Sequence, residues 1–126
     1  MELSTEVIQA RVLEDFEVQL NEFHEQCENN YIDLFRRRIV SGDVDPYDPH
    51  YRDVCSRETQ VYKKEICAKT YDFVRSYVDT TFDVIVDSQR EGIFTKDEAV
   101  AAQNALRHIL IAAEIDHDSC TKDSIL

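Results

Sequence analysis

A chain of 126 residues with only two glycines and two prolines has few places to turn. That composition argues against an all-β or loop-rich fold and for a single helical domain large enough to bury a core. A net charge of −12 opposes the phosphates of nucleic acid, which leaves basic protein surfaces, cations or plain solubility as roles for the charge.

Apolar runs such as Ile109-Leu110-Ile111-Ala112-Ala113 are far too short to span a bilayer, so no membrane partner is expected. The start, Met1-Glu2-Leu3-Ser4-Thr5-Glu6, is polar and acidic and does not read as a signal peptide. The four cysteines, Cys27, Cys55, Cys67 and Cys120, lack CxxC or Cys/His metal spacing. The first three fall on apolar helical stripes, where a free thiol acts as a small hydrophobe. A reducing, cytoplasmic setting is the expectation.

The first helix is expected over residues 5–40, capped by Ser4 or Thr5, with acidic residues in its first turns to suit the helix dipole. Leu13, Phe16, Leu20, Phe23, Cys27 and Leu34 step by three and four, with Asn30 in the missing place, as in the seam of a coiled coil. Asn29-Asn30 is the point where this helix is open to a break. Arg36, Arg37 and Arg38 lie in the last turns, where cations oppose the dipole, and Gly42 ends the helix. Asp45-Pro46 and Asp48-Pro49 make the connection to His50 extended or turned.

The second helix is expected over 51–86. One stripe, Tyr51, Cys55, Tyr62, Ile66, Phe73, Tyr77 and Val84, follows an eleven-residue repeat that keeps one face nearly straight. A second stripe, Cys67, Tyr71, Val74, Val78, Phe82 and Ile85, exists only in the latter half. The third helix is expected over 96–114, opened by the capping box Thr95-x-x-Glu98, with alanines that permit close approach. A mobile tail over 116–126 is expected to follow.

Two long helices joined by a tight link should pair antiparallel, with the third folding back over only part of the hairpin. The expected fold is therefore all-α: a long antiparallel hairpin with a shorter third helix, a three-helix bundle open to completion by dimerisation. The far half of the hairpin carries Tyr31, Leu34, Phe35, Ile39, Tyr51, Cys55 and Tyr62 with two helices to bury them. Each such side chain is worth about 1.5–3 kcal/mol when fully buried, so this end is the candidate surface for a protein partner or a homodimer.

Asp87-Ser88-Gln89-Arg90-Glu91-Gly92-Ile93-Phe94-Thr95-Lys96-Asp97-Glu98 resembles the calcium-binding loop of the EF-hand family, over those twelve residues and their flanking helices. Asp87 stands first, Gly92 sixth, Phe94 eighth, Thr95 ninth and Glu98 twelfth. The resemblance implies calcium ligands at Asp87, Gln89, Glu91, the Ile93 carbonyl, Thr95 and Glu98, with Gly92 making the sharp turn. Gln89 and Glu91 are each a methylene longer than the family prefers, and no second loop pairs with this one.

His24, His50, His108 and His117 are scattered; His24 and Glu28 have the i, i+4 spacing of a two-ligand metal edge, without a second such pair. No nucleophile elbow, phosphate loop or Cys/His dyad is present, and no catalytic residue is assigned. Residues 1–35 carry nine Asp or Glu against Arg11: a solvated face, or a surface shaped to enter a basic groove as inhibitors and nucleic-acid mimics do. The terminal Ser124-Ile125-Leu126 has the form of a PDZ ligand, which adds as a strand to a sheet edge. The functional expectation is a non-catalytic, acidic, self-associating interaction or regulatory module.

Overall fold

Three helices and two short connections make up the computed structural model, which describes residues 3–125, with side chains to residue 120: α1 (Thr5–Ser41), α2 (Tyr51–Arg90) and α3 (Lys96–Ile125). The fold is an all-α three-helix bundle, without strands among the described residues. α1 runs unbroken through Asn29-Asn30. Its N-terminus is capped by Ser4, whose hydroxyl accepts the Val7 amide at 3.3 Å. Gly42 ends it at φ 88°, a left-handed conformation that glycine adopts without a Cβ penalty. In the link, the Asp45 and Asp48 carboxylates accept the amides of Tyr47 and His50 two residues on, turns that the prolines reinforce.

α2 antiparallels α1 through paired rings: Phe16 with Tyr77 at 5.2 Å, Phe23 with Phe73 at 4.5 Å and Tyr31 with Tyr62 at 4.4 Å between centroids. Rings meeting rings hold the two backbones apart. α3 does the opposite, because Ala99, Ala101, Ala102 and Ala105 are buried and let it settle closely on both neighbours at one end of the bundle. There Ile8, Val74, Tyr77, Val78, Ile85, Leu106 and Ile109 complete a dry core. Leu106 is 1% exposed and Val74 2%. We call this the near end and the 42–50 link the far end.

The structure corrects four expectations from the sequence. Helix α2 continues to Arg90 rather than ending at Val86. Helix α3 is 30 residues long and reaches Ile125, so the segment read as a mobile tail is helical as far as it is described. The polar sequence after Asp116 contains no glycine or proline to stop a helix, and two contacts with α2 fix it: His117 stacks on Tyr71 at 4.5 Å, and Cys120 is disulfide-bonded to Cys67. The third correction is that bridge itself, since only Cys27 and Cys55 are free thiols.

The fourth concerns the seam of α1. Ile8, Val12, Phe16, Leu20, Phe23, Cys27, Tyr31, Phe35 and Ile39 turn inward, in steps of four with a single three. Each step of four overshoots a full turn by about 40°, so the covered face rotates along the helix instead of keeping a heptad line. Leu13 and Leu34 fall off it, at 42% and 59% exposure, as do Phe82 and Val84 on α2.

Candidate functional site

Among the described residues, two regions gather incompletely covered apolar side chains once the helices have packed. The first is the far end. Counting along α3 from the Cys67–Cys120 bridge places its last described turn level with Tyr62, so among the described residues α1 is the one helix beside residues 51–61 of α2. The aromatic side chains expected there are brought together as a ladder, Tyr62 on Tyr31, Tyr31 beside Phe35 at 6.5 Å and Phe35 beside Tyr51 at 6.5 Å.

Tyr31, Phe35, Ile39, Tyr51, Cys55 and Tyr62 are all half-buried, while Leu34 points away. Burial first, and for Tyr31 the nearby Glu58 carboxylate as well, pushes the phenols of Tyr31 and Tyr62 above the ordinary tyrosine value. They stay neutral donors on an otherwise apolar strip. Val40 and Tyr47 add freely exposed apolar surface, at 88% and 94%.

The ladder is held by contacts that the sequence did not disclose. Arg38, read as a dipole partner, instead reaches across to Glu58 on α2 at 2.6 Å and ties the two helices beside Tyr31. Val44 in the link is buried, its amide donating to the Arg38 carbonyl. Around them lies a polar hollow of about 380 Å³ walled by Asp43, Asp45, Asp48, His50 and Arg57. An apolar residue among aspartates and prolines, as Val44 is, was the signal available in the sequence.

The second region is a trough of about 780 Å³ where α1 and α3 diverge over α2. Leu13, Phe16 and Leu20 of α1 form one wall, Ile109, Ala112 and Ala113 of α3 the other, and Ile66, Thr70 and Val74 the floor. Cys67–Cys120 closes the side toward α3's end. His24, read as half of a metal edge with Glu28, shares a hydrogen bond with the Thr70 hydroxyl at 2.9 Å and spans α1 to α2.

The 87–98 segment is arranged as a helix end, a turn and a capped helix start. Asp87, Gln89 and Arg90 belong to α2, and the carbonyls of Asp87, Ser88 and Gln89 accept the amides of Glu91 to Phe94. Gly92 supplies the φ of 78° that this turn requires. Asp87 faces Arg90 at 3.9 Å, and Ile93 is 65% exposed.

Thr95 and Glu98 make the expected capping box, each accepting the other's amide, and Glu98 also accepts the Leu3 amide at 3.3 Å. The amides of Thr95 and Leu3 hold the Glu98 carboxyl below the usual range. Of the side chains that the calcium-loop resemblance implies as ligands, Asp87 thus faces Arg90, and Thr95 and Glu98 are engaged with backbone amides. Among the described residues no group of three or more His, Cys, Asp or Glu is placed to hold a metal ion.

The acidic side chains of α1 from Glu6 to Asp33 are all exposed, and Asp15 accepts the Tyr77 hydroxyl at 2.7 Å. Ser124-Ile125-Leu126, the PDZ-like end, falls outside the residues whose side chains are described. No helix is long and apolar enough to cross a membrane among the described residues. No protein-family model matches this chain, nor does any curated protein or solved structure.

Proposed function

We propose that this protein is a non-catalytic helical interaction module that self-associates through its far end. The half-buried aromatic ladder Tyr62-Tyr31-Phe35-Tyr51, which lies past the last described turn of α3 at every member except Tyr62, carries the reading. Pairing two such strips about a two-fold axis would finish the burial that each copy leaves incomplete.

Charge favours this end for meeting a copy. Residues 33–62 hold five arginines against six carboxylates, whereas residues 1–28 hold eight carboxylates against Arg11 alone. Two far ends can approach with opposite charges facing, while two acidic faces of α1 would repel.

Sedimentation velocity over a concentration series tests the reading. The expected outcome is a dimer for the natural protein and a folded monomer for Phe35→Asp, with unchanged helicity by circular dichroism. A natural protein that sediments as a monomer at every concentration overturns it. A cytoplasmic location, the expectation from the sequence, would keep Cys67 and Cys120 as a juxtaposed thiol pair rather than a lasting bridge.

A further inference from the structure

We propose that the trough between α1 and α3 takes the apolar face of a basic amphipathic helix from a partner protein. This is a separate surface from the far end, sharing Tyr62 at their junction, and it takes from the reading above only the premise of a docking module.

Shape comes first. Along α1 the trough runs from Leu13 to Glu28, roughly 22 Å at 1.5 Å per residue, or about four helical turns. It is open along its length and bounded by helices on three sides, so a fourth helix laid along it completes the bundle. Ala112 and Ala113 on one wall permit the close approach that helix packing needs, at 8–10 Å between axes. Anchors at i, i+3, i+4 and i+7 on the incoming helix would meet Leu13, Phe16, Leu20 and Ala112. A small apolar ligand fits less well, because tight sites bury at least about 70% of such a ligand and this trough leaves its upper side in water.

Charge then selects the partner. The rim carries Glu17, Glu28 and Asp116 against Lys63, and the outer face of α1 continues the negative field with Glu14, Glu22 and Glu25. A helix flanked by lysine or arginine meets opposite charge on both banks and is drawn in by the net −12 of the whole molecule. The acidic helix α1 of a second copy would meet repulsion at the same place.

The test uses a fluorescein-labelled peptide of about fifteen residues, leucine and lysine in helical alternation, titrated into the full chain and read by anisotropy. Controls are the same composition in scrambled order and a leucine/glutamate version. Saturable binding is expected for the first peptide, with affinity at least about tenfold weaker for each control. Leu20→Glu and Ala112→Glu should each lose that binding although they add negative charge; Ala112 is exposed, so its variant keeps the fold.

Equal binding of the scrambled peptide, or undiminished binding to both variants, would overturn the proposal by showing general attraction to an acidic surface. Saturable binding of oleate with none of the helical peptide would overturn it in favour of a lipid site. Phe35→Asp should bind the helical peptide like the natural protein whatever its mass, so loss of self-association and loss of peptide binding are read separately.

Discussion

The two ends of the bundle both gather apolar side chains, but cover them to very different extents. At the near end three helices converge, alanines on α3 bring the backbones close, and aliphatic side chains go fully dry. At the far end two helices meet through rings too large for close approach, and every member of the ladder keeps part of its surface in water. An aromatic side chain needs neighbours on several sides to be covered, whereas an alanine needs only one backbone to come near. Number of partners, rather than hydrophobicity, separates structural core from free surface in this molecule.

The largest expected effect is at the near end. Leu106→Ala removes a fully covered side chain and should cost about 2–5 kcal/mol in urea unfolding, as leucine truncations in tight cores do. Phe35→Ala, measured below the concentration at which copies meet, should cost well under half as much despite removing more carbon. Equal losses would mean that the far end is as well packed as the near end, and the contrast would fail.

Next in size is the bridge that carries α3 toward the far end. Cys67 and Cys120 are separated by 53 residues, and closing a span of that order stabilises by about 2–4 kcal/mol. Cys120→Ser should lower the melting temperature of the oxidised protein accordingly, and added reductant should shift the natural protein but not the variant. Hydrogen exchange is then expected to speed up in the last turns of α3 while the amides around Leu106 remain protected. Uniform acceleration would show that the far and near ends unfold as one unit.

Much of this architecture is legible in the sequence because it depends on local spacing. Three helices, the Ser4 cap, the Gly42 stop and the Thr95/Glu98 box follow from residue types at fixed offsets, and the uncovered far end follows from the second stripe of α2 beginning only at Cys67. What spacing does not disclose is pairing between distant positions. Cys67 with Cys120, Arg38 with Glu58 and Tyr77 with Asp15 depend on the register of one helix against another, which no single stripe encodes. Polarity after Asp116 likewise suggests a loose tail, yet a helix tied to its neighbour can carry polar residues on its outer side. The trough is hidden in the sequence for the same reason: it arises from the divergence of α1 and α3, and each of its walls alone looks like ordinary core.

The smallest expected effect, and the one that sharpens the near end most finely, concerns Glu98. Its carboxylate accepts the Thr95 amide at the start of α3 and the Leu3 amide before α1, so one side chain ties two helix starts together. Those bonds favour the charged form and lower its pKa when folded. A carboxyl depressed in the folded state contributes stability that is present above the unfolded glutamate value, about 4.3, and is lost as pH falls through the lower folded value. Glu98→Gln should therefore be less stable than the natural protein near neutrality, and the gap should close on acidification through that window. Because the effect belongs to the near end, it should appear equally in the monomeric Phe35→Asp background. A gap that stays constant with pH would mean that the protonated Glu98 carboxyl accepts the amides of Thr95 and Leu3 as well as the charged one does.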